Sequence, residues 1–330
     1  MEQPGTGKPE KQPTQLLSKK QEGVRVGNTV FLAFQDKSML DEQSNKYSAR
    51  GYTINTTAHF VLCQQQASNQ NILLHTFHQN DIDADLICFI TDELGSFNIT
   101  PTVRTFGATL FGIIASTFPS PRHQPTIWNY FCLNTLTRLR RQITQSLLTV
   151  DQSPYITPFA NIYRRIAELI SGQSLLDVGS SFGFFPILMA ESMPDSRIIG
   201  CDYNPDAVTL ATNLAQASGT QQTTFIMQNM LAADFSDIGY FDTVTAIHLL
   251  EHLSEEHIPF ALSNLLRVTQ QRLIIAVPYE EQPEAVYGHL QIFTPEKLEH
   301  WGQWCREQLQ GKGCYSCEEM MGGLLVIERQ

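Results

Sequence analysis

Three groups of residues in this chain have the types and spacing to do chemistry. The first lies in LLDVGSSFGFFPILMA, residues 175–190. There an apolar stretch ends in Asp177, and two glycines, Gly179 and Gly183, stand four apart with Ser180 and Ser181 between them. The second is Asp202, 25 residues after Asp177, with Tyr203 beside it in IIGCDYNPDAV. The third is a set of imidazoles and a carboxyl: His248, Glu251 and His252 in AIHLLEHL, and His289 in VYGHLQIF. The glycine loop reads as a nucleotide cradle, a methyl-donor pocket or a tight turn, and its residues discriminate among these.

A dinucleotide loop has the form G-x-G-x-x-G, and its second glycine lets the backbone approach a pyrophosphate. Ser181 stands where that glycine is wanted. A carboxylate two residues before the first glycine repels a pyrophosphate but suits a ligand amine. S-adenosyl-L-methionine has no phosphate, and it carries an amino-acid end and a sulfonium, so the loop fits this donor better than a nicotinamide dinucleotide. Asp202 accepts from ribose hydroxyls in either case and does not decide between them. The histidine cluster has three readings. One is a general base that takes the proton of an acceptor hydroxyl. Another is a divalent-metal site on Glu251, His252 and His289 that acidifies the hydroxyl. In the third, the Glu-His pair only orients its loop through backbone hydrogen bonds. Tyr279, Glu280 and Glu281 either bind sugar hydroxyls or form an ordinary solvated loop.

These residues need elements to hold them. From Ser174 onward strands and helices alternate. SLLDVG, RIIGCD, TTFIMQ, FDTVTAIH and RLIIAVP are strand-like, and helices are expected at 184–193, 205–217, 257–267 and 295–309. Residues 313–319 and 323–328 read as a closing hairpin. The pattern predicts an α/β fold, a doubly wound and mostly parallel sheet of seven strands. In such sheets ligands bind beyond the carboxyl ends of the strands, where Asp177, Asp202 and His248 fall. Upstream, Val24 to Phe77 is β-rich, in the runs VRVGNTVFLAF, YTINTTAHFVLC and NILLHTFH separated by polar stretches, with a turn at SNQN (68–71). A short helix is expected over 81–94. Two further helices carry Val103, Phe106, Leu110, Ile113 and Ile114, then Trp128, Phe131, Leu136, Leu139 and Ile143, with SPRHQP (120–125) between them. Thr157-Pro158 reads as an N-cap followed by a first-turn proline. The division expected is a disordered tail (1–23), a smaller N-terminal α+β accessory region (24–150) and a catalytic domain (151–330).

The chain has 330 residues, 42% hydrophobic, with a net charge of −11. The acidic balance argues against nucleic acid as partner and does not oppose a neutral small molecule or glycan. Residues 1–23 lack an apolar signal-peptide core. The apolar run Thr109–Phe118 is about half a membrane span, so no membrane partner is expected. Seven scattered cysteines suit a cytoplasmic setting. Cys314 and Cys317 have CxxC spacing without a second pair, which favours free thiols. The oligomeric state is not legible. Phe184-Phe185 reads as a wall beside the methionine part of the donor or as core packing, and Trp301 and Trp304 as packing or a sugar platform.

The loop, the two acids, the strand–helix rhythm and HLLEHL together resemble the class I S-adenosylmethionine-dependent methyltransferases over 174–328. The resemblance implies the Rossmann-like methyltransferase fold, with Asp177, Gly179, Ser180, Ser181, Gly183, Asp202, Tyr203 and His248 around the donor. Such enzymes often place an acid at the end of the third strand. Here Met230 stands there with Asn229 before it, so adenine contacts would come from the Asn229 amide, the backbone, or Met230 and Leu231. The cluster spacing resembles metal-dependent small-RNA 2′-O-methyltransferases, in which Glu-x-x-Glu-His and a later His bind the ion, with His248 replacing the first glutamate.

More closely, LLDVGSSFGFFPILMA, DTVTAIHLLEHL, LIIAVPYEEQPEAVYGHLQIF and GGLLVIE in this order resemble the mycofactocin oligosaccharide methyltransferases. That family has an aromatic residue after the late glycine pair, where this chain has Leu324. The resemblance implies O-methylation of a glucose hydroxyl on the glycan of mycofactocin, a peptide-derived redox cofactor. Composition and spacing show nothing of this acceptor. The alternatives are an O-methyltransferase for another small molecule (a phenol, quinone or lipid precursor), a non-catalytic binding protein of the same fold, and a nicotinamide oxidoreductase.

Overall fold

The computed structural model describes residues 23–65, 69–97, 99–100, 102–118, 124–144 and 152–330. The tail up to residue 22, the start of the SNQN turn, residues 120–123 of the spacer and the boundary at 150/151 lie outside the described residues.

The β-rich N-terminal runs form a five-stranded sheet, and two of the runs are hairpins. VRVGNTVFLAF divides into β1 (Val24–Val26) and β2 (Thr29–Ala33) around Gly27-Asn28. YTINTTAHFVLC divides into β3 (Thr53–Thr56) and β4 (Phe60–Gln65). With β5 (Gln70–His75) the order is β1-β2-β5-β4-β3, and β2 runs parallel to β5. The polar stretch after β2 is a helix, α1 (Lys37–Ser48), not a spacer. Asp36 caps it by accepting from Met39 N at 2.9 Å. Only Leu40 of this helix is buried, so its apolar periodicity is too sparse to read.

Four helices follow: α2 (Asp85–Leu94), α3 (Val103–Ser116), α4 (Gln124–Thr144) and α5 (Ile156–Leu169). The first begins four residues later than expected, because Asp83 accepts from Asp85 N at 2.9 Å and holds a turn there. The cap of α5 is also not Thr157. Ser153 Oγ accepts from Ile156 N (2.9 Å), and Ser153 N donates back to Thr157 Oγ1 (3.1 Å), so a serine upstream satisfies the first turn.

An ion network joins these helices. Arg138 on α4 donates to Asp83 (2.6 Å) and Asp85 (2.7 Å), both of which are buried. Asp85 also accepts from Ser153 and from Tyr155 N. Removing the guanidinium strands two buried carboxylates. Arg138→Ala is therefore expected to lose about 3–5 kcal/mol of stability, read as a lower urea midpoint; an unchanged midpoint would mean the network is inert.

The second sheet has seven strands: β6 (Ser174–Val178), β7 (Arg197–Asp202), β8 (Thr223–Met227), β9 (Phe241–Ile247), β10 (Thr269–Val277), β11 (Gly313–Glu319) and β12 (Gly323–Arg329). Their order is β11-β12-β10-β9-β6-β7-β8. Strands β6 to β10 are parallel, and β12 is antiparallel to both its neighbours. The connecting helices are α6 (Phe184–Ser192), α7 (Pro205–Ser218), α8 (Ile258–Val268) and α9 (Pro295–Gln308). Alternation along β10 separates the two faces: Ile274 and Ala276 belong to one core, Leu273, Ile275 and Val277 to the other. The first core also contains Phe31, Ile90, Ile113, Phe131 and Ile166, so the N-terminal sheet and helices continue the packing of the seven-stranded sheet.

Phe184, Phe185 and Trp301 are buried in these cores. All seven cysteines are free, and Cys314 and Cys317, three apart on β11, project from opposite faces of the strand. Among the described residues no helix is long and apolar enough to cross a membrane.

Candidate functional site

The sheet order reverses between β6 and β9, and the sequence's candidate residues gather at the carboxyl ends of the strands there, where open α/β sheets bind ligands. Gly179 N and Ser180 N both donate to Cys201 O, at 2.8 and 2.9 Å, and Gly183 N donates to Ser180 O at 2.8 Å. Ser181 N donates to Asp202 Oδ2 at 3.0 Å. Four of the loop's backbone donors are thus consumed internally, which leaves little of the N–H cradle that a pyrophosphate needs.

Both glycines are required by geometry. Gly179 has φ +73°, and a Cβ there would sit 2.6 Å from Leu249. Gly183, left-handed at φ +78° as it caps α6, would place a Cβ 2.6 Å from Phe225 and 2.8 Å from Ala211. Ser181 adopts φ +48°, an uncommon region for a side-chain-bearing residue.

The two acids lie on neighbouring strands and differ in their partners. Asp202 accepts from Ser181 N and, through Oδ1, from Asn204 N at 2.9 Å, and each oxygen keeps a lone pair for a further donor. Tyr203 beside it is exposed. Asp177 is buried and accepts from Thr245 Oγ1 at 2.7 Å. Burial pushes its carboxyl up to about 7, the Thr245 hydroxyl opposes this, and the negative charge of Asp202 adds to it.

This sets a pH signature. Below about pH 7 the free protein holds a proton on Asp177 that the unfolded chain has lost above about pH 4. Between those values the native state binds more protons, so this group's contribution to stability falls as pH rises. A cationic ligand favours the ionised carboxylate. Its affinity is therefore expected to rise with pH towards 7, with proton release on binding below that pH. Calorimetry in buffers of different ionisation enthalpy measures this, and affinity that is flat with pH would remove Asp177 from the ligand's surroundings.

The third strand end differs in part from expectation. Met230 is buried in the second core, and its carbonyl accepts from Asn264 Nδ2 at 2.8 Å. Asn229 is exposed, with its Oδ1 taken by Leu231 N at 2.9 Å. The groups free at this edge are the Asn229 amide nitrogen and half-buried Leu231.

Beyond β9 the histidine cluster forms as one group. His248 is left-handed at φ +50°, and its N donates to Ala276 O at 2.9 Å. Its ring packs on Phe159 of α5 with centroids 5.0 Å apart, and its Nδ1 lies 3.5 Å from Glu251 Oε1. Glu251 is fully buried, and among the described residues neither of its carboxyl oxygens has a hydrogen-bond partner. His252 and His289 meet edge to face at 4.9 Å. One ligating atom from each of Glu251, His252 and His289 falls within 4.8 Å of the others.

Their outer contacts are ordered as well. Glu280 engages His289 Nδ1, and His252 Nδ1 lies 3.3 Å from Gly288 O. A buried carboxyl with neither oxygen hydrogen-bonded among the described residues, beside two imidazoles anchored from behind, fits a divalent cation as well as it fits proton transfer.

Spacing did not reveal Thr245, Phe159 or the role of Glu280. Each reaches the site through a contact distant in sequence or through the fold of a loop. The N-terminal helices also reach this mouth. Tyr287 hydrogen-bonds Thr91 on α2 at 2.7 Å and packs edge-on against Phe106 on α3. Val103 stands over Gly288.

Parts of the chain are similar to known proteins. Residues 175–272 match the family described as a methyltransferase domain. A release factor glutamine methyltransferase from Chlorobaculum tepidum is 27% identical over 156 residues, 45% of this chain and 49% of that protein. The chain thus spans about half the length of that curated relative. Among solved structures, magnesium protoporphyrin IX methyltransferase from Synechocystis PCC 6803 with bound SAH superposes with a TM-score of 0.43 at 17% identity, over 63% of this chain and 100% of that one. The methyltransferase domain of bacterial CtHen1-C gives a TM-score of 0.45 at 14% identity, over 51% and 97%. Residues 175–272, the glycine loop and the strands that follow it, thus match a methyltransferase domain and lie on a sheet wound in this order.

Proposed function

We propose that the protein is an S-adenosyl-L-methionine-dependent O-methyltransferase acting in the cytoplasm on a hydroxyl of a small molecule or glycan, with the mycofactocin oligosaccharide as the sugar acceptor. The observation that carries the reaction class is the buried carboxyl of Glu251, without a hydrogen-bond partner among the described residues, beside His248, His252 and His289 at the carboxyl ends of the strands that hold the donor loop. Asp177 faces the donor's cationic amino-acid end, Asp202 takes its ribose hydroxyls, and Gly179, Ser180, Ser181 and Gly183 let it approach the backbone. Tyr203, Asn229 and Leu231 border the adenine.

The acceptor oxygen attacks the donor methyl in line with the sulfonium. An O–C bond forms, the C–S bond breaks, and its electron pair returns to sulfur as a neutral thioether. The hydroxyl proton passes to an imidazole nitrogen of the cluster, a step worth about 10²–10⁴-fold in rate. Glu251, His252 and His289 would hold a divalent cation, which when bound supplies Lewis acidity that lowers the hydroxyl pKa. The accessory region walls the acceptor side through Thr91, Phe106 and Val103, which meet Tyr287 and Gly288.

The sugar acceptor rests on the ordered motif resemblance described above. One observation favours a different small molecule: Val103 and Leu290 beside the histidines are 53% and 62% exposed, an apolar rim suited to a phenol, quinone or lipid precursor. Label transfer from methyl-labelled S-adenosylmethionine to a mycofactocin glycan extract separates the two, run with and without chelator. Label in the glycan is the expected result. Its absence, with transfer to a phenolic or lipid alcohol, would replace the sugar with the second reading. Loss of label with chelator would assign the cluster to a cation.

A further inference from the structure

Loop 278–294 folds back so that both Glu280 oxygens converge on a single ring nitrogen. They lie 2.8 and 2.9 Å from His289 Nδ1, and the two side chains are only 15% and 7% exposed. The loop holds this pair from behind: Glu284 N approaches Glu280 Oε2 at 3.4 Å, and His289 N donates to Glu284 O at 3.3 Å. A carboxylate accepts hydrogen bonds and does not donate them, so the Nδ1 atom it engages must carry the proton. The lone pair of the neutral ring is then left on Nε2. His252 is disposed the same way, its Nδ1 facing the Gly288 carbonyl. The two rings are neighbours, and Glu251 beside them has no hydrogen-bond partner among the described residues.

We infer that Glu280 is a positioning residue: it fixes His289 as the Nδ1–H tautomer and so presents the Nε2 lone pair to the acceptor proton or to a cation. The inference rests on the proposed O-methyl transfer for its functional meaning. Its structural content, the tautomer, stands apart from that reading. In the sequence Glu280 is one acid of a loop, open to sugar hydroxyls or solvent. In the structure its carboxylate is committed to the ring.

The test uses full-length protein with ring-15N histidine and long-range proton–nitrogen spectra, with His289 assigned by its loss in His289→Asn. Wild type is expected to show a protonated Nδ1 and a bare Nε2. Glu280→Ala should release the ring to the other tautomer and lower kcat by about 10–100-fold, with S-adenosylhomocysteine affinity unchanged within twofold. Glu280→Gln retains an amide oxygen that accepts, so it should keep the Nδ1–H tautomer and most of kcat. An Nε2–H tautomer in wild type would overturn the inference, as would a tautomer and kcat insensitive to Glu280→Ala. Loss of donor affinity in step with kcat would reduce Glu280 to a role in loop stability and also overturn it. If wild type methylates none of the acceptors offered, the functional proposal fails, while the ring spectra still decide the tautomer.

Discussion

Glu251→Gln is expected to lower methyl transfer by about 10²–10⁴-fold and at the same time to make the free protein more stable. The two effects share one cause. Glu251 is fully buried, its carboxyl oxygens lack hydrogen-bond partners among the described residues, and the nearest basic atom is His248 Nδ1 at 3.5 Å. An ionisable carboxyl held in that state costs the fold more free energy than a neutral amide of the same shape, which also lacks partners there but carries no charge. Such a cost persists where function needs the group, so removing it trades activity for stability, about 0.5–2 kcal/mol by comparison with other stabilising substitutions. The backbone bond from Leu290 N to Glu251 O, 2.8 Å, survives the substitution, so the loop keeps its path. Thermal melts and label transfer on the same preparation measure both effects. A variant that is less stable and equally active would make Glu251 an ordinary core residue.

Asp202→Ala is expected to weaken S-adenosylhomocysteine binding by about 10²-fold or more. Two hydrogen bonds from ribose hydroxyls to a charged acceptor account for most of that, at about 1.5–3 kcal/mol each. The carboxylate also organises the loop, since it takes the Ser181 and Asn204 backbone donors. Ser181 is held at φ +48°, and without its acceptor the loop loses the contact that maintains that conformation. Asp202→Asn, whose amide oxygen still accepts, should fall between the two. Calorimetry with the product nucleoside is the measurement. Wild-type affinity in Asp202→Ala would move the donor away from this strand end.

The part of this chain from Ser174 onward was legible in its sequence and the N-terminal part only in outline. The seven strands from Ser174 onward lie close to where alternation places them, with β11 matching its expected span, because short buried strands and amphipathic helices differ in period and length. The N-terminal hairpins and α1 were missed for the opposite reason. Two-residue turns such as Gly27-Asn28 leave the β pattern unbroken, and α1 buries only Leu40. The helix caps at Asp83 and Ser153 depend on side chains whose choice of partner is local but not periodic.

For the site, residue types and spacing by themselves marked Asp177, the two glycines, Asp202 and the His-x-x-Glu-His run, because strand ends and tight turns restrict which residues stand there. The tertiary structure decided their states. Thr245 bonds Asp177 across 68 positions, and Arg138 reaches Asp83 across 55. Burial pushes the carboxyl of Asp177 up to about 7, and packing leaves the carboxyl oxygens of Glu251 without a hydrogen-bond partner among the described residues. Solvent exclusion and hydrogen-bond pairing arise only when distant segments meet, so a linear pattern names the chemical groups, and the folded environment determines which of them are charged, paired or poised to react.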